Sequence, residues 1–163
     1  YIEAVPCFEY TVSLQLNVLQ LDIASLLEPV LDIGCGQHAH LVEYLRCMGI
    51  EAYGIDRYPS GKGYILQTDW SDFNYGTQKW GSIISHLGFS NHFMHHHLRN
   101  DGDFRNYAYR YMQILGSLVK GGSFLYAPGL PFIEQYLEPQ HYNVVSIPVK
   151  GQQYQSVIVT RLK

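Results

Sequence analysis

Val30-Leu31-Asp32-Ile33-Gly34-Cys35-Gly36 is a short apolar run that closes on two glycines one residue apart. Just beyond it, Leu41, Tyr44, Leu45 and Met48 recur at helical spacing over His40 to Met48, and Gly49 supplies a stop. The stretch reads as strand, tight turn, helix. Glycines in such a turn let the backbone approach a ligand without a side-chain clash. The helix that follows offers free N–H groups to a polar or anionic group.

Working outward, Leu16, Leu19, Ile23, Leu26 and Leu27 fit one helical face, predicting a helix from Val12 to Leu27 stopped by Pro29. Glu51 to Ile55, Gly63 to Gln67 and Gly81 to Ser85 read as further strands, compact and apolar as in a parallel sheet covered on both faces. Asp103 is the expected N-cap of a long helix through Leu118, with Gly121-Gly122 as its stop and Ser123 to Ala127 as the next strand. After a short helix near Phe132 to Leu137, Tyr142 to Val149 and Gln155 to Leu162 are β-rich runs. They are joined only by Lys150 to Tyr154, too short for a crossover helix and right for an antiparallel hairpin. The fold class is α/β: a Rossmann-like, doubly wound, mostly parallel sheet of seven strands ending in an antiparallel hairpin.

The chain has 163 residues, enough for one domain over 1–163, read as an N-terminal helical segment 1–29 and a core 30–163. The net charge is −3 and the 11 Lys and Arg are scattered, so there is no concentrated basic footprint and nucleic acid is a disfavoured partner. Three cysteines, Cys7, Cys35 and Cys47, form no Cys-x-x-Cys pair, which suits neither a disulfide framework nor a structural zinc site. No apolar run approaches the roughly 18 to 20 residues that span a bilayer, and Tyr1 to Tyr10 lacks the order of a secretory signal. The expectation is a cytoplasmic protein without membrane segments. Because it begins at Tyr1 rather than Met, further residues are expected upstream.

Two acids narrow the ligand. Asp32 stands at the strand end before the glycines, where its charge would repel a pyrophosphate but attract an ammonium or sulfonium centre. Asp56 ends the second strand, twenty residues after Gly36, where a carboxylate can accept both ribose hydroxyl hydrogens. The last glycine of the dinucleotide fingerprint is replaced by Ala39. Turn and acids together favour a nucleoside with a charged amino-acid tail over a dinucleotide.

Val30 to Gly36 with Gly54-Ile55-Asp56 resembles motif I and the second-strand acid of class I S-adenosylmethionine-dependent methyltransferases, and the likeness covers nearly the whole chain. Gln67-Thr68-Asp69-Trp70 resembles that family's third-strand end, and Ile83-Ile84-Ser85-His86 its fourth-strand end beside the methionine portion. Leu118 to Phe124 is similar to its helix-to-fifth-strand turn, and the closing hairpin implies the strand order 3-2-1-4-5-7-6. Where many members have a further glycine, this chain has His38. The resemblance implies S-adenosylmethionine as cofactor. It places Asp32, Gly34, Cys35, Gly36 and Ser85 near the methionine moiety, Asp56 on the ribose, Arg57 beside the adenine, and Asp69 with Trp70 at the adenine edge. For Asp69 and Trp70 a helix cap and a core aromatic compete with that role; for Cys35 a small turn residue is favoured over a reactive thiol.

The activity implied is methyl transfer to a small-molecule acceptor, an in-line displacement in which alignment and desolvation supply most of the acceleration. Where the acceptor keeps a proton, a base helps, and His86 at the fourth strand end or His92 is expected to serve. His92 with His95 or His96 has the spacing of two metal ligands on a helix, but no third ligand is fixed, so no metal is expected and a solvated face is the favoured reading. Tyr107, Tyr109 and Tyr111 alternate and cannot all share one helix face. The alternative to an enzyme is a non-catalytic S-adenosylmethionine-binding or partner-interaction domain.

Overall fold

The computed structural model describes residues 11–86 and 104–163. Its elements run α1 (Val12–Leu19), β1 (Val30–Ile33), α2 (His40–Cys47), β2 (Ala52–Asp56), β3 (Ile65–Gln67) and β4 (Trp80–His86). Then come α3 (Phe104–Gly116), β5 (Leu118–Ala127), α4 (Pro131–Glu134), β6 (Tyr142–Pro148) and β7 (Gln155–Arg161). The seven strands form one sheet in the order β3-β2-β1-β4-β5-β7-β6, as expected. Neighbours among the first five strands are parallel, whereas β7 runs antiparallel to both β5 and β6. The order reverses at β1, which puts its carboxyl end where such sheets bind ligands.

Strand alternation sorts the core onto the two faces. Leu31, Ile33, Ile55, Ile83, Phe124 and Tyr126 point to one side, packed with Tyr107, Tyr111, Ile114 and Leu115 of α3. Val30, Ala52, Ile84 and Ala127 point to the other, under Val18 and Leu19 of α1 and Leu41, Val42 and Leu45 of α2. Each fully buried Leu or Ile contributes about 1.5–3 kcal/mol of transfer free energy. Tyr107 and Tyr111, one turn apart, are buried while Tyr109 is 60% exposed, so the tyrosine run divides as helical geometry requires.

Helix α2 ends as read, in a Schellman turn: Gly49 takes φ 83°, with Gly49 N–H donating to Arg46 O and Ile50 N–H to Leu45 O. The two longer helix predictions are corrected. The first helix stops at Leu19 rather than Leu27, because Gln20 turns left-handed (φ 56°) and Asp22 accepts the Ala24 N–H at 3.2 Å to start a separate 3-10 turn, Ile23–Ser25. A local side-chain bond outcompetes the helix there. The long helix ends at Gly116 rather than Leu118, and Gly121-Gly122 lies inside β5 rather than stopping a helix. Arg161 donates to Gly116 O at 2.9 Å and to Leu118 O at 2.7 Å, and Leu118 already pairs with Trp80. The expected N-cap, Asp103, lies outside the described residues.

Coverage of the sheet is uneven. Thr68 to Lys79 connects β3 to β4 without a helix, so the α3 face stays open over β2 and β3. A groove of about 380 Å³ lies there, walled by Leu31, Tyr53, Leu66, Phe73 and Trp80, and Leu66 is 55% exposed. The expectation of a sheet covered on both faces therefore fails at the β3 edge.

Candidate functional site

The glycine turn is built by backbone bonds into the neighbouring strand: Gly34 and Cys35 N–H both donate to Ile55 O, at 2.9 and 3.1 Å. Gly34 takes φ 69° and Gly36 φ 84°, and a Cβ at Gly34 would stand in open space beyond the strand end. The left-handed conformation holds these positions to glycine, and the open space is what a ligand would enter.

Asp56 closes the turn from β2. Its Oδ1 accepts the Gly36 N–H at 3.2 Å and its Oδ2 the Tyr58 N–H at 3.0 Å, while Thr68 N–H donates to its carbonyl at 2.9 Å. Each carboxylate oxygen keeps a further lone pair for a hydroxyl donor.

Asp32 lies beside Gly54 and Ile84 in the ladder, so neither strand neighbour offers it a side-chain donor. It is 2% exposed, and among the described residues its Oδ2 has no hydrogen-bond partner. Burial holds its carboxyl well above the usual carboxylate range, and the negative charge of Asp56 adds to the effect. Alternation puts Asp32, Asp56 and His86 on the same face of the sheet and Ser85 on the other.

Cys35 fills the room that Gly54 leaves. A Cβ on Gly54 would meet Cys35 Sγ at 2.7 Å and Ile65 Cδ1 at 2.9 Å, so this glycine is set by a close approach that its place inside a strand already signals. The Cys35 thiol is 8% exposed and bonds Gly36 O at 3.5 Å, consistent with a packing role. His38, at the family's glycine position, is exposed and has no left-handed φ; that conformation falls on Ala39 (φ 49°), which starts α2 without a side-chain cap. Lys62 reaches across to donate to His38 O at 3.0 Å and pairs with Glu43 at 2.6 Å, and Tyr64 OH also donates to Glu43. Sequence reading missed this Lys62–Glu43–Tyr64 cluster, since it joins α2 to the loop before β3 across a distance that local patterns do not report.

The other predicted positions divide. Arg57 is exposed, its guanidinium 5.3 Å from the Tyr58 ring centroid. Asp69 opens a turn, its carbonyl accepting from Asp72 and Phe73 N–H and its carboxylate accepting from Ser71 Oγ. The half-buried Trp70 packs on Tyr107 with centroids 4.8 Å apart. Ser85 is fully buried. His86 ends β4 beside Ala127, 8% exposed, and burial pushes its pKa down to about 4, so the imidazole is neutral at physiological pH. His92, His95 and His96 lie outside the described residues, among which no group of three or more His, Cys, Asp or Glu could hold a metal ion.

No protein-family model matches the sequence, and no curated protein does. Solved structures do. An N-methyltransferase, NodS, from Bradyrhizobium japonicum in complex with S-adenosylhomocysteine superposes with TM-score 0.62 at 15% identity, over 92% of this chain and 84% of that one. A TehB-like SAM-dependent methyltransferase from Corynebacterium glutamicum gives 0.61 at 17% identity over 85% of both chains. The 1,6-didemethyltoxoflavin-N1-methyltransferase of Burkholderia thailandensis, with that compound and S-adenosylhomocysteine bound, gives 0.53 at 14% identity, over 82% of this chain and 71% of that one.

The chain has the class I methyltransferase fold. Within that fold, the glycine turn after β1 and the acid ending β2 occupy the reversal point of the sheet. Among the described residues, no helix is long and apolar enough to cross a membrane.

Proposed function

We propose that this chain binds S-adenosylmethionine at the β1 turn and transfers its methyl group to a small-molecule acceptor. The observation that carries the reading is Asp32: a carboxyl group 2% exposed, with an oxygen lacking a partner among the described residues, at the mouth of a glycine turn. Burying such a group without a partner is unfavourable, and a cationic ligand group would supply the missing interaction. A dinucleotide pyrophosphate brings no cation to fill that role.

When bound, the donor supplies a methyl group on a positively charged sulfur, a leaving group that needs no further activation. Asp32 would face the cationic end, Gly34 and Gly36 would admit the chain between sulfur and carboxylate, and Asp56 would accept the ribose hydroxyls. Arg57, Asp69 and Trp70 line the route toward the adenine in this reading. His86, neutral in its buried setting, would accept a hydrogen bond from the nucleophile or take up its proton, with His92 as the second candidate. The small-molecule acceptor draws support from relatives in fold such as the Burkholderia enzyme with its bound heterocycle.

The test is formation of S-adenosylhomocysteine from S-adenosylmethionine by the purified chain with a panel of small amine, phenol and heterocycle acceptors. Acceptor-dependent product supports transfer. Binding without turnover on any acceptor would support the alternative, a non-catalytic S-adenosylmethionine-binding or partner domain.

A further inference from the structure

Asp32 is the acid of the candidate site that is buried with a carboxylate oxygen lacking a hydrogen-bond partner among the described residues, and its surroundings explain why. On its own turn stands Cys35; from β2 it meets Gly54 and, one pleat further, Asp56; from β4 it meets Ile84 and, one pleat further, His86. None of these brings a positive charge, since His86 is held neutral by burial. Among the described residues, the cations of α2 and of the β2–β3 connection lie elsewhere. Lys62 pairs with Glu43, Arg46 donates to Ala52 O at 2.6 Å and lies over Tyr64, and Arg57 is exposed beside Tyr58. A charged carboxylate buried among apolar neighbours, with a second acid on the same face, is the less stable of its two forms.

We propose that Asp32 is a neutral carboxylic acid in the ligand-free protein and releases its proton when a cationic ligand group enters the turn, so that binding is proton-linked. The proposal rests on the donor-binding reading above and adds a discriminating role for Asp32. On binding, the carboxyl O–H bond breaks, the proton passes to solvent buffer, and the carboxylate left behind faces the ammonium or sulfonium of the ligand. The charge is created only when its partner is present. A neutral nucleoside thioether, such as 5′-methylthioadenosine, leaves the proton in place. Affinity for the cationic ligand rises with pH, by up to tenfold per unit where the free protein holds the proton and the complex does not.

The experiment is calorimetric titration of the whole chain with S-adenosylmethionine between pH 5 and 8, each pH in two buffers of contrasting ionisation enthalpy. The expected result is buffer-dependent heat corresponding to up to one proton released per ligand. The release should be absent with 5′-methylthioadenosine and absent in Asp32→Asn. Heats independent of buffer throughout the range, or release that persists in Asp32→Asn, would overturn the proposal. Carbon-13 titration of the Asp32 carboxyl in the ligand-free chain gives a second readout that needs no ligand. A proton lost in the ordinary aspartate range overturns the proposal, and one retained well above it supports it. A folded chain that binds no S-adenosylmethionine would instead remove the donor reading, with the carbon-13 titration still deciding the state of Asp32.

Discussion

The backbone N–H of Gly36 donates to Asp56 Oδ1 at 3.2 Å, joining the turn after β1 to the end of β2. One side chain thus shapes the turn and presents an acceptor beside it. Asp56→Ala is expected to weaken S-adenosylmethionine binding at least tenfold, about 1.4 kcal/mol or more. The loss of acceptors for Gly36 and Tyr58 N–H should lower folding stability by only about 1–2 kcal/mol. Calorimetry and urea unfolding read the two effects separately. An unchanged dissociation constant would remove Asp56 from the site.

The contact between Gly54 and Cys35 yields a coupled prediction. Gly54→Ala puts a methyl 2.7 Å from Cys35 Sγ and 2.9 Å from Ile65 Cδ1, and overpacking of this kind destabilises by about 1–3 kcal/mol. Adding Cys35→Ala should restore a large part of that loss, because the sulfur is the nearest clash. Strictly additive effects in urea melts would show that the strain lies elsewhere.

His86 makes stability pH-dependent with a definite sign. Its folded pKa of about 4 lies below the value near 6.5 of an unfolded histidine, so between those values the unfolded chain takes up a proton that the folded one refuses. Stability then falls as pH drops through that window, by about 1.4 kcal/mol per unit and roughly 3 kcal/mol in all. His86→Asn should flatten the difference between melts at pH 7 and pH 4.5 by about 2 kcal/mol, since pH 4.5 stops short of the lower end of that window. For the same reason turnover should show no break near pH 6.5 from this residue, while His86→Ala should lower kcat more than donor affinity.

Beyond the site, Tyr126 OH lies 2.7 Å from Tyr111 OH and donates to Glu134 Oε2 at 2.6 Å, and that same oxygen accepts the Leu130 N–H. Burial drives both phenols above their ordinary range, so they remain neutral members of the chain. Tyr126→Phe removes a link from both neighbours and should cost about 1–3 kcal/mol. Tyr111→Phe and Tyr126→Phe together should cost less than the sum. Thermal unfolding of the three variants decides it.

The strand-turn-helix at Val30 to Met48 was legible because its signals are local: an apolar run, two glycines, a helical stripe and a closing Gly49. The hairpin was legible because five residues cannot hold a crossover helix. What escaped depends on partners distant in sequence. The end of α3 at Gly116 is fixed by Arg161 from the last strand, and the open face over β3 follows from a connection that holds aromatics but no helix. The early end of α1 was in principle readable, since Asp22 before Ile23 is a start signal that interrupts an otherwise continuous apolar face. At the candidate site, the acids were read from their spacing, whereas the uncompensated burial of Asp32 needed the strands on both sides of it.

The most direct test is isothermal titration of the purified, folded chain with S-adenosylmethionine and S-adenosylhomocysteine, with NAD as control. Micromolar binding of the first two and none of NAD is the predicted result. A folded chain that binds neither adenosyl compound, or that prefers NAD, would contradict the account.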